Sequence, residues 1–239
     1  MYTERVESVL VYQKDNQMTH QAPEMLYRSF DELDPSRLPD VVESMTREDM
    51  IISNTFKESG SINSPLFTKE QEHFSDVMLA LLYLAVGGQD EAHDIVLPYS
   101  LPEDTDWGGH AIFDSPALAS SRYCHGMVHR MEGMYAGELG VIGWDNSCYW
   151  FDETPWPMDH PLYAKIRQQA LSTAENMGLK DHELVKQLFI TPFWDPKVFV
   201  KVCSESKSIA EVDHFCNKIH NLEWELLLKD CNIMVNKLS

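Results

Sequence analysis

"PALASSRYCHGMVHRMEGMYAGELG", residues 116–140, is the stretch on which the fold class turns. Pro116 stands where a first helical residue loses nothing by lacking an N–H, and Asp114 or Ser115 just before it can cap the helix. With His125 set at zero and about 100° per residue, His129 falls about 40° away, Glu132 about 20° to the other side and Arg122 about 60° round. Tyr123, Met127, Met131 and Met134 fall on the opposite side. A stretch that separates a His/His/Glu face from a Met-rich face is an amphipathic helix.

The flanking sequence repeats the helical pattern. "KEQEHFSDVMLALLYLAVG" follows Thr68, a candidate cap, carries Glu70 and Glu72 in its first turn and stops at Gly87-Gly88. "DEAHDIV" opens a short helix expected to end before Pro98. A long irregular stretch, "LPYSLPEDTDWGGHAIFDS", separates it from the Pro116 helix. Beyond, "GELGVIGWDNSCYWFDETPWPMD" reads as a Gly- and Trp-rich turn, and "HPLYAKIRQQALSTAENMG", "DHELVKQLFI", "PKVFVKVCSES" and the C-terminal run as helices. In that last run Phe215, Ile219, Leu222 and Leu226 recur at three- and four-residue spacing. No alternating run of β-branched residues appears. The expected fold is all-α: one bundle-like multi-helix domain over residues 66–239, with a long irregular loop between its two motif helices. Residues 1–65, broken by Pro, Ser and Gly, read as an extension of short helices and loops packed on the body.

Composition narrows the function. In 239 residues, 44% hydrophobic and 24% charged, a sizeable core is possible. Nineteen basic against 38 acidic residues give a net charge of −19, which repels phosphate backbones and anionic lipid. No apolar run approaches the roughly 18 residues of a membrane span, and the N-terminus lacks the basic start and apolar block of a secretory signal. A cytoplasmic location, a small-molecule substrate, no nucleic acid and no membrane are the expectations. The five cysteines form no Cys-x-x-Cys pair and read as reduced core thiols. Cys124 alone has a neighbouring histidine, and positions i and i+1 on a helix point about 100° apart.

The i, i+4, i+7 line of His125, His129 and Glu132 presents two imidazoles and a carboxylate, donors suited to a divalent metal such as zinc or iron. Helical bundles complete such sites from facing helices, and Asp90 and His93, three apart in "DEAHD", are the nearest candidates. His110 and His160 stand in or near loops that could fold over the site. The competing expectation is a solvated polar face, and His220 and Glu223 on the last helix read as a similar polar stripe. Trp144, Trp150 and Trp156 read as core or lid aromatics.

"DEAHDIV", "CHGMVHRMEG", "NSCYWF" followed by "HPLY", "WDPKVFVKVC" and "EWELLLKDC" resemble, in order, the motifs of a widespread family of uncharacterised bacterial proteins. There an Asp-Glu-Ser-His helix precedes His-Gly-x-x-His-Arg-x-Glu-Pro-Asp, then Asn-x-x-Tyr-Trp-Phe and His-Pro. The resemblance spans roughly Leu81 to Cys231 and implies that Asp90, Glu91, His93, His125, His129, Arg130, Glu132, Asn146, Tyr149, Trp150, His160 and Pro161 hold motif positions. Here Gly133-Met134 replaces the family's Pro-Asp, and "YAGELGVIG" lengthens the path to Asn146. The family has no established activity, so the resemblance implies a site without naming a reaction.

Three functions follow. The foremost is a metal-dependent small-molecule enzyme, a hydrolase most simply, with an iron oxygenase sharing the ligands. His93, His125 and His129 would hold the metal, and Glu132 would be a fourth ligand or a general base. Arg130 would clamp an anionic group or pair with an acid, Asp90 would assist catalysis, and Asn146, Trp150 and His160 would meet the substrate. Next comes a non-catalytic protein whose His/Glu/Arg positions form a structural polar network, with the acidic surface binding a protein partner. Last is a metal-free enzyme using His125 and His129 as acid and base, oriented by Glu132 and Asp90.

Overall fold

The computed structural model describes residues 69–85, 88–104, 110–135 and 140–237, which form seven α-helices and one 3₁₀ turn and contain no strand. The helices are α1 (Lys69–Ala85), α2 (Gln89–Ser100), α3 (Leu118–Tyr135), α4 (Gly140–Asp152), α5 (Pro161–Asn176), α6 (Pro196–Glu205) and α7 (Ala210–Lys237), with the 3₁₀ turn at Val185–Phe189. The all-α bundle expected from the sequence is what the chain adopts. The extension of residues 1–65 and the cap at Thr68 lie outside the described residues.

Helix α1 is the hub. Val77 to Leu84 are all buried, so its second half is apolar round its whole circumference, as a central bundle helix must be. Neighbours run antiparallel and are pinned by side chains reaching backbone carbonyls. Gln71 Nε2 donates to the Val235 carbonyl at 2.8 Å and Trp224 Nε1 to that of Leu81 at 2.6 Å, which lays α7 along α1. Gln89 Nε2 donates to Val128 O at 3.0 Å and Ser121 Oγ to Val96 O at 3.1 Å, which fixes α2 against α3. Two helices begin on a capping side chain followed by proline. His160 Nδ1 accepts from Leu162 N at 3.3 Å ahead of Pro161, and the Asp195 carboxylate accepts from Lys197 N at 2.9 Å ahead of Pro196.

Several boundaries depart from the sequence reading. Helix α2 runs through Pro98 to Ser100. The carbonyl left unpaired by Pro98 is that of Asp94, an exposed residue whose carbonyl water can serve, and the helix end is tied down by Arg122 Nε donating to Ser100 O at 2.9 Å and Ile112 N to Pro98 O at 2.8 Å. The Pro116 helix begins two residues late, at Leu118, because Asp114 takes a left-handed φ of 57° and the Ser115 hydroxyl caps Ala117 N at 3.2 Å. "DHELVKQLFI" yields only the short 3₁₀ turn.

The largest correction is α4. Its sequence was expected to be a turn because it carries Gly140, Gly143 and two tryptophans, yet it forms thirteen residues of helix packed along α3. Gly143 serves contact here. A Cβ on Gly143 would stand 2.5 Å from the Gly133 nitrogen and 2.8 Å from both Glu132 Cβ and His129 O. Trp144 covers Gly133 and Phe151 covers Gly126, so small residues on both helices let the backbones approach closely.

Candidate metal centre

Helix α3 is not amphipathic in place. Ser120 through Met131 are buried without a break, because α2 and α4 cover the histidine side while α1 and α7 cover the tyrosine and methionine side. The solvated polar face considered for this helix is therefore not what forms, and its polar groups need partners inside the bundle.

On one side the partners are imidazoles. The Gln89–Val128 and Ser121–Val96 bonds lie on either side of His93 and set it opposite His125 and His129. Ring centroids are 4.7 Å apart for His93–His125, 5.4 Å for His93–His129 and 4.9 Å for His125–His129. One ligand nitrogen from each of the three lies within 4.8 Å of the others. Glu132 Oε2 accepts from His129 Nδ1 at 2.6 Å, which leaves the Nε2 lone pair of His129 for another partner. The Nδ1 of His93 faces Asp94 at 3.7 Å. His125 is fully buried, and neither of its ring nitrogens has a hydrogen-bond partner. Burial, reinforced by His129 and His93, pushes its pKa well below the usual histidine value, and burial with His129 lowers that of His93. Both are thereby neutral bases with available lone pairs, the form a metal takes.

Helix α4 completes this side. Ser147 Oγ donates to Gly126 O at 2.7 Å and Trp150 stacks on the His125 ring at 3.9 Å and 17°. Asn146 lies between Gly143 and Trp150 on the same face of α4, half-buried. Zinc with bonds of about 2.0–2.1 Å wants its nitrogens about 3.3 Å apart, so the three imidazoles need close by at most about 1.5 Å, within reach of small side-chain rotations.

On the other side of α3 lies a separate network. Arg130 is fully buried and donates to the carboxylate of Glu223, also fully buried, and through Nη2 to His220 Nδ1 at 3.0 Å. Glu223 further accepts from Tyr123 Oη at 2.5 Å and Trp194 Nε1 at 3.1 Å. The Arg130 guanidinium lies 4.7 Å from the Phe199 ring and 5.5 Å from that of Phe151. His220 must accept from Arg130, and burial together with that cation drives its pKa well below the usual value. His220 and Glu223 are thus an internal charge network, where the sequence suggested a surface stripe. Arg130 pairs with an acid, one of the two roles expected of it, and faces away from the imidazoles.

The remaining expected residues fall elsewhere. Asp90 is exposed in the first turn of α2, three residues before His93. His160 caps α5 and stacks on Trp156 at 4.3 Å, and His110 is exposed in the loop. Cys124 is fully buried, which pushes its thiol pKa up and removes it as a nucleophile.

The chain matches no family model, no curated protein and no solved structure. The chemistry open to the site therefore follows from its own donors. Among the described residues the three histidines are the group able to hold a metal ion, and no helix is long and apolar enough to cross a membrane.

Proposed function

We propose that this chain is a metal-dependent enzyme of small molecules, a zinc hydrolase in preference to an iron oxygenase. His93, His125 and His129 would bind the ion, and Glu132 would hold the His129 tautomer. The observation that carries this is His125: a fully buried imidazole with both nitrogens unpartnered, set between two other imidazoles. A buried polar group without a partner costs about 1–3 kcal/mol; Arg130 also leaves Nε and Nη1 unpaired, but its Nη2 reaches Glu223 and His220, whereas neither nitrogen of the His125 ring has a partner. Because Glu132 is engaged with His129, the ligand set is three nitrogens, which suits zinc better than the two-His, one-carboxylate set of iron oxygenases. A bound ion would supply Lewis acidity and lower the pKa of a water toward about 7. Asn146 would flank the substrate, and Trp150 would back the His125 ring. We further place the protein in the cytoplasm, where its five free cysteines stay reduced, and the charge of −19 disfavours nucleic acid as a partner.

Elemental analysis and zinc titration of the untagged chain, beside His125→Leu, test this. The expected result is one zinc per chain, lost in the variant, together with a rise of about 1–2 kcal/mol in the stability of the metal-free variant, since its buried nitrogens are gone. A chain that takes up no zinc, or a leucine variant less stable than the metal-free parent, would refute the proposal.

A further inference from the structure

Resting on the metal reading above, we infer that the site selects substrates carrying a cationic group, such as an alkylamine, and rejects carboxylates and phosphates. The inference comes from charge around the opening. The imidazole group reaches solvent on one side, where His93 is 30% and Glu132 36% exposed, while His125 is closed at the back by Trp150. That opening carries acids. Asp94 stands 3.7 Å from His93, Glu132 is bonded to His129, and Asp90 lies one turn before His93 on the same face of α2.

Among the described residues no lysine or arginine is among the charges acting on His93, and Lys207, beside the end of α3, is bonded to the Met134 carbonyl at 2.7 Å. The charges acting most strongly on His93 are those of His129, Asp94 and Glu132. The two arginines of α3 are committed elsewhere: Arg122 to the carbonyls of Ser100 and Glu153, and Arg130 to Glu223 on the opposite side of the helix. An acidic rim alone would be no site. What marks this one is the unpartnered, fully buried His125 behind it.

Three neutral imidazoles leave a bound dication its two positive charges. Asp94 and Glu132 cancel them, and Asp90 turns the rim net negative. An anionic substrate therefore gains no surplus positive field on approach and meets no arginine or lysine clamp among the described residues, whereas an ammonium group is drawn to the rim.

The test uses the full chain loaded with cobalt(II) and desalted, titrated with two metal-binding probes of matched length. One is aminohexanoyl hydroxamate, with an ammonium end, and the other is adipoyl monohydroxamate, with a carboxylate end; binding is read from the cobalt visible spectrum. The ammonium probe is expected to bind about tenfold tighter, the preference shrinking with added salt. Asp90→Asn/Asp94→Asn is expected to reduce that ratio to within about twofold of unity, and because it is a ratio it does not depend on how tightly the variant holds cobalt. Equal affinities, a preference for the carboxylate probe, or a preference that survives the double variant would each overturn the substrate class and leave the metal site standing. Failure to bind cobalt at all would overturn both.

Discussion

Gly143→Ala sets two physical effects against each other, so the sign of the result is informative. Helix propensity alone favours the alanine by about 0.8–1 kcal/mol. Contact opposes it: the new Cβ would lie 2.5 Å from the Gly133 nitrogen and 2.8 Å from Glu132 Cβ and His129 O, where ordinary contact begins near 3.4 Å. Two of those three atoms are backbone and cannot rotate away, so α4 must withdraw from α3 by about 1 Å. That loosens Trp144 over Gly133 and Phe151 over Gly126. Overpacking of this kind costs about 1–3 kcal/mol, and rigid backbone puts this case at the upper end, so the net loss is about 1–2 kcal/mol. Urea unfolding followed by far-UV circular dichroism would show a lower midpoint at unchanged slope. Cobalt binding should weaken as well, since the withdrawal carries Trp150 off His125. A variant as stable as the parent, or more so, would show that the close approach of α3 and α4 is not what the glycine is for.

Arg130→Met would leave the Glu223 carboxylate buried without its cation and cost about 3–5 kcal/mol, while Arg130→Met/Glu223→Gln should recover most of that. A single-variant loss below about 1 kcal/mol in urea unfolding, typical of an exposed pair, would refute the buried-pair account. Stability of the metal-free chain should fall in mild acid, because His125 and His220 stay neutral when folded while the unfolded chain protonates them near pH 6.5. The depressed folded pKa makes the unfolded state the better proton binder, so the loss begins as pH drops through about 6.5 and deepens with each further step into acid until the folded imidazoles themselves protonate. Urea midpoints that do not move between about pH 8 and 5.5 would count against the buried neutral imidazoles.

The sequence determined the class of the fold and the line of the site. Three- and four-residue spacing suffices to define a helix, because it depends only on the geometry of the chain with itself, and the same spacing placed His125, His129 and Glu132 on one side of α3. Tertiary structure decided everything that depended on a second element. That His93 meets the line, whereas Asp90 on the same face one turn earlier stays exposed at its edge, follows from the register of α2 against α3, which is set by Gln89 and Ser121 reaching carbonyls 39 and 25 residues away. Glu223 and His220, read as a surface stripe, are buried because α7 packs that face against α3, and periodicity does not distinguish a polar face turned to water from one turned to a buried arginine. The glycines of α4 misled for a related reason. A glycine costs helix stability in an isolated chain and gains it back only when another backbone passes within contact distance, and Gly126 and Gly133, seven apart on one face of α3, were the sequence trace of that neighbour.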